Sequence, residues 1–170
     1  MIRFLIYLFI FTNLSSFESK NTHNYIFPKW KEMILLNREI LYSEDHKAFI
    51  DIYVNNIAKK SYILEEEQFK VGAIIVKPIY PKEERKNIAR VTIMMKMQNG
   101  YDTENGNWWY GVYDESGLNA SNTGRIKSCI MCHEIAEDTD YLFSESVMFD
   151  IQSQTVFKEV LKGNNLHKPK

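Results

Sequence analysis

The stretch "ARVTIMMKM", residues 89–97, decides the fold. It alternates cleanly: Val91, Ile93, Met95 and Met97 fall on one face, and Thr92, Met94 and Lys96 on the other. A period of two is the signature of a β-strand. Just upstream, "AIIVKPIY" (73–80) reads as a strand that resumes after Gly72, and the charged "PKEERKN" (81–87) as the solvated loop between the two. Downstream, "NGYDTENGN" (99–107) is turn chemistry and "WWYGVYD" (108–114) is a third strand.

Further out, "AFIDIYV" (48–54) is β-branched and aromatic and reads as one more strand. Asn55 or Asn56 then caps a helix through "IAKKSYILEEEQF" (57–69), with Ile57, Tyr62, Ile63 and Phe69 on its apolar face. The segment "FPKWKEMILLNREIL" (27–41) fits a short helix or an irregular packed piece, and residues 18–26 a mobile lead-in. The polar "ESGLNASNTG" (115–124) reads as a loop, followed by a short helix that begins at "CIMCHE" (129–134). The tail "SVMFDIQSQTVFKEVLKGNN" (146–165) ends in one more helix. The expected class is α+β: mainly antiparallel β-sheet with a few helices.

Composition agrees with a single domain. The 170 residues suffice for a sizeable core without disulfide staples, and 45% hydrophobic against 25% charged content is ordinary for a globular chain. A net charge of −1 gives no footprint for nucleic acid. The N-terminus has a basic start at Arg3, an apolar run from Phe4 to Phe11, and small polar residues at Ser15 and Ser16. So short a run is the core of a signal peptide (1–17), with an uncleaved anchor as the alternative. No cysteine stands at a lipobox position. Residues 18–170 then form the exported, periplasmic domain.

The chain has two cysteines, Cys129 and Cys132, and His133 follows the second. A redox dithiol would follow a strand in a βαβ unit, which residues 129–132 lack. A zinc site would need further ligands, and His23, His46 and His167 are all remote in sequence and read as surface groups. Two thiols at this spacing can add to the two vinyl groups of one haem, and the adjacent imidazole then becomes the axial ligand. Cys129 and Cys132 are therefore the expected thioether anchors of one covalent haem c, and His133 the iron ligand. Small electron-carrier cytochromes place this motif early. Here only 37 residues follow His133, with Met148 and His167 as the candidate sixth ligands among them.

A late CxxCH after a run of strands resembles the cytochrome P-460 family, which includes the beta-type cytochromes c-prime. The resemblance spans about residues 45–145 and rests on "FIDIYVNN", "FKVGAIIVKPIY", "VTIMMKMQNGYD", "GNWWYGVYD" and "GRIKSCIMCHEIAEDTDYLFS". The last joins CxxCH to Asp140 and Leu142–Phe143–Ser144, similar to the family's D-x-V-F-T/S ending. The resemblance implies a c-type haem on an antiparallel sheet, five-coordinate iron and a homodimer. It also implies activity on small nitrogen-oxide ligands, either binding of nitric oxide or oxidation of hydroxylamine. In hydroxylamine-oxidising members a lysine is bonded to the haem ring, and Lys77 stands at the matching position. Lys77 shares a strand face with Ala73, Ile75 and Ile79, so its amine is either chemically consumed or snorkels from an edge strand beside Pro78. Catalytic members carry a distal acidic residue where this chain has Thr92, and a threonine cannot serve as a base near neutral pH.

The resemblance, taken with these residues, leaves three functions open. The first is a nitric oxide binder or detoxifier. The second is a hydroxylamine-oxidising or nitric oxide-converting enzyme with Lys77 as the catalytic cross-link, and the third a plain electron carrier with a partner cytochrome. Trp108, Trp109 and Tyr110 read as core or dimer-interface aromatics, and Met94 as core filler that also shares the Thr92 face. Glu65, Glu66 and Glu67 read as a solvated helix face.

Overall fold

A computed structural model of the chain describes residues 25–64 and 66–143. Within them, eight strands form one antiparallel sheet: β1 Ile34–Leu35, β2 Leu41–Ser43, β3 Ala48–Ile50, β4 Tyr53–Val54, β5 Ile74–Tyr80, β6 Arg90–Lys96, β7 Trp108–Tyr113 and β8 Ala120–Gly124. Two short α-helices, α1 Asn56–Ile63 and α2 Lys127–His133, and three 3₁₀ segments complete them. The α+β class holds, with the CxxCH cysteines on a helix after the last strand.

The alternating stretch is the centre of the sheet. Strand β6 pairs with β5 on one side and β7 on the other, so Lys77, Thr92 and Val112 lie in one row across the three strands. The row beside it is Ile75, Met94 and Tyr110. Val76, Val91, Ile93, Trp109 and Tyr113 point to the other face, where Phe27 and Trp30 cover them. That face leaves no room at Gly111, where a Cβ would stand 2.6 Å from the rings of both Trp109 and Tyr113.

Four local expectations are corrected. Residues 48–54 form two strands rather than one, because Asp51 is fully buried between them. Its carboxylate accepts hydrogen bonds from Asn37 Nδ2, Tyr80 Oη and Arg85 Nε, which pull the chain out of the ladder. The expected loop 115–124 ends as strand β8, an exposed polar edge held by its bonds to β7 rather than by any apolar pattern. Helix α1 stops at Ile63, so Glu66 lies beyond it and bonds Ser61 Oγ and Lys70 Nζ. The end of the supposed lead-in is packed: Tyr25 sits edge-on to Trp109 at 5.2 Å and its carbonyl accepts from Tyr113 Oη.

Asn55 is the cap of α1. Its Oδ1 accepts from Ala58 N–H at 2.9 Å and Ile74 N–H at 3.1 Å, while its Nδ2 donates to Gly72 O at 2.8 Å. One side chain thus locks the helix start to the start of β5. Among the described residues no helix is long and apolar enough to cross a membrane. The expected signal segment 1–17, the C-terminal helix, His23, Met148 and His167 lie outside the described residues.

Candidate functional site

The polar-mixed face of the sheet forms the floor of a cavity of about 510 Å³, within the size range of small-molecule and cofactor sites. Ile75, Lys77, Thr92, Met94, Tyr110 and Val112 line that floor. Helix α2 brings Cys129, Cys132 and His133 to the same space, and the hairpin between β2 and β3 brings Glu44, Asp45 and His46. The structure therefore gathers Lys77, Thr92, Cys129, Cys132 and His133, which the sequence singled out, around one cavity.

His133 is oriented by its backbone partner. Its Nδ1 lies 2.6 Å from Tyr141 O, so Nδ1–H donates to that carbonyl and Nε2 is left as the lone-pair nitrogen. Burial, helped by the positive charge of Lys77, lowers its pKa to about 4, against the opposing pull of the Tyr141 carbonyl. The imidazole is thus neutral near pH 7, the form that ligates a metal.

The carbonyl that holds it is itself held. Asp140 and Tyr141 both adopt left-handed backbone, with φ of 52° and 66°. Buried Lys96 donates to both carboxylate oxygens of Asp140 at 2.5 and 2.8 Å, and Phe69 N–H donates to the same group at 2.7 Å. Trp108 Nε1 donates to Asp140 O at 2.9 Å. The sheet, through Lys96 and Trp108, thereby fixes the turn that carries the acceptor for His133.

Cys129 and Cys132 are free thiols, both partly buried. Burial raises the pKa of each, which keeps both protonated at neutral pH. Lys77 stands opposite Thr92 on the floor. Desolvation pushes its amine down to about 8, although Asp45 and Cys132 pull the other way. Thr92 Oγ1 donates to Lys77 O at 3.2 Å, so its proton is engaged with the neighbouring strand.

These residues fit a haem. The donor set is two thiols and a neutral imidazole on one short helix, and the facing floor is largely apolar. Tyr110 Oη, fully buried at the cavity, has no hydrogen-bond partner among the described residues, as expected of a group that meets the cavity's occupant. Tyr110 belongs to the core as the sequence suggests, and it lines the cavity as well, while His46, which the sequence places on the surface, is half-buried at the cavity. Trp108 and Trp109 do belong to the core, on opposite faces.

An antiparallel sheet that offers a cavity to a CxxCH helix defines a haem-binding cytochrome built on strands rather than a helical bundle. The family model described as Cytochrome P460 matches residues 27–144. The chain belongs to that family. Comparison with curated proteins gave no match.

Proposed function

We propose that this chain is an exported, periplasmic mono-haem c protein that binds or detoxifies nitric oxide or related small nitrogen-oxide ligands. Cys129 and Cys132 hold the single haem by thioether bonds, and His133 is its axial ligand. The haem supplies an iron with a free coordination position. The chain's own residues orient it and keep water from the apolar floor. A homodimer and an electron-transfer partner cytochrome belong to the same proposal.

One observation carries binding ahead of hydroxylamine oxidation. The floor position opposite Lys77 is Thr92, whose hydroxyl proton is bonded to a backbone carbonyl. That row of the floor carries no carboxylate to accept the protons that hydroxylamine must lose, and Glu44, Asp45 and His46 reach the cavity only from the β2–β3 hairpin. The enzyme reading draws support from Lys77 itself, since an amine with a pKa near 8 has a neutral, nucleophilic fraction at neutral pH, the form from which a bond replacing a ring hydrogen would be made if an external two-electron oxidant took up the electrons.

The two readings separate in one preparation. The reduced holoprotein should bind nitric oxide in a one-to-one ratio and should not turn over hydroxylamine with an added electron acceptor. Sustained turnover of hydroxylamine would assign the enzyme reading instead.

A further inference from the structure

The hairpin between β2 and β3 ends in Glu44, Asp45, His46 and Lys47, a four-residue turn. Its backbone is tied: Lys47 N–H donates to Glu44 O at 3.3 Å, and His46 N–H points to Ser43 Oγ at 3.4 Å. Ala48, buried at the base of the hairpin, anchors the turn to the core. His46 is half-buried and lines the cavity, together with Lys77 from β5, Arg90 from β6 and His133 from α2. Unlike His133, whose Nδ1 is engaged, the His46 ring makes no hydrogen bond with any described residue.

Burial lowers the pKa of His46, and Lys77 and Arg90 lower it further, while Asp45 opposes them. The ring is therefore neutral at pH 7, with one N–H to give and one nitrogen to receive. Thr92, a short polar group of the cavity floor, has its proton engaged by Lys77 O.

We propose that His46 is a hydrogen-bond donor of the cavity, added by the hairpin to Lys77, Arg90 and Tyr110: its ring N–H bonds the oxygen of a nitrogen-oxide ligand held there, the task that Thr92 cannot perform. This rests on the nitrogen-oxide reading above. A donor aimed at the bound oxygen stabilises the negative charge that builds on it. It slows ligand escape and favours a ligand that carries an acceptor oxygen over one that does not. The hairpin tip thereby acts as a specificity element, added to the floor from a separate part of the chain.

The test uses the reduced holoprotein, His46→Leu and His46→Gln, with carbon monoxide and nitric oxide as probes. In His46→Leu the stretching frequency of bound carbon monoxide should rise, and nitric oxide should leave about five- to tenfold faster, the scale of one lost hydrogen bond. His46→Gln retains an N–H donor and should recover most of both effects. Identical frequencies and release rates in all three proteins would overturn the proposal. So would a six-coordinate, low-spin spectrum in the wild type that becomes high-spin in His46→Leu, because His46 would then be an iron ligand. If the wild type fails to bind nitric oxide, the nitrogen-oxide reading falls, while the carbon monoxide frequency still reports whether His46 donates.

Discussion

His133 Nδ1 lies 2.6 Å from the backbone oxygen of Tyr141, and that contact couples the His133 end of α2 to the buried Lys96–Asp140 pair. The pair is an anchor rather than an ornament of the core. Lys96 and Asp140 are 8% and 5% exposed, so neither charge can turn to water if its partner is lost. Lys96→Met should lower stability by about 3–5 kcal/mol, since Asp140 is left charged and buried. Chemical denaturation of the holoprotein checks this, and an unchanged midpoint would show that Asp140 is held by Phe69 N–H alone. The same variant should broaden the absorption spectrum of the reduced holoprotein as Tyr141, the partner of His133, shifts.

Gly106 tests the same turn from its other side. It has φ of 64°, and a Cβ there would stand 2.5 Å from the Tyr141 ring. That ring cannot simply swing away, because its hydroxyl donates to Glu104 O at 3.0 Å. Gly106→Ala should therefore destabilise the protein by about 1–3 kcal/mol and disturb the His133 contact, read as a mixed spin state in the reduced spectrum. Gly111→Ala, crowded by Trp109 and Tyr113 on the other face, should cost a similar amount of stability and leave the spectrum unchanged.

Lys77 gives a pH-dependent prediction for the haem-free protein. Its pKa falls from 10.5 in the unfolded chain to about 8 in the fold, so the unfolded chain binds the extra proton between those values. Stability from this group therefore rises with pH from about 8 to 10.5, and the penalty of a buried ammonium is present in full below 8. Lys77→Met should stabilise the haem-free fold at pH 7 by about 2 kcal/mol, with the gain fading by pH 10.5. Denaturant titrations at pH 7 and 10 measure it. An equal gain at both pH values would mean that packing, not charge, sets the effect.

Tyr110→Phe tests the empty cavity. Its hydroxyl has no partner among the described residues, so its removal should leave the haem-free protein as stable or slightly more stable. A loss of about 1 kcal/mol or more in the haem-free variant would show that the hydroxyl is satisfied by trapped water.

The centre of the fold was legible because β5, β6 and β7 carry their burial in their own side chains. Val91 and Ile93 alternate with Thr92 and Lys96, and the structure keeps that register. Strand β8 was not legible. "ASNTG" has no apolar side chain larger than alanine, and its pairing is imposed by β7. The break at Asp51 was equally hidden, since it comes from partners at Asn37, Tyr80 and Arg85 scattered along the chain. At the site, Cys129, Cys132 and His133 share one local motif, and Lys77 stands out as a charge on an apolar face. His46 and Tyr110 gave no such signal. A histidine in a charged turn and a tyrosine beside two tryptophans declare a cavity role only when the hairpin and β7 are assembled.

The central claim is a single haem held by both cysteines, with His133 as its protein ligand and the position across the iron open. The most direct measurement is the intact mass of protein matured with a haem c assembly system, taken after denaturation, together with the dithionite-reduced absorption spectrum of the same sample. The account predicts one haem retained per chain and a five-coordinate, high-spin spectrum. Replacing Cys129 and Cys132 together with alanine should release the haem. Haem that washes away from the wild type on denaturation, or a sharp low-spin spectrum in the reduced protein, would contradict it.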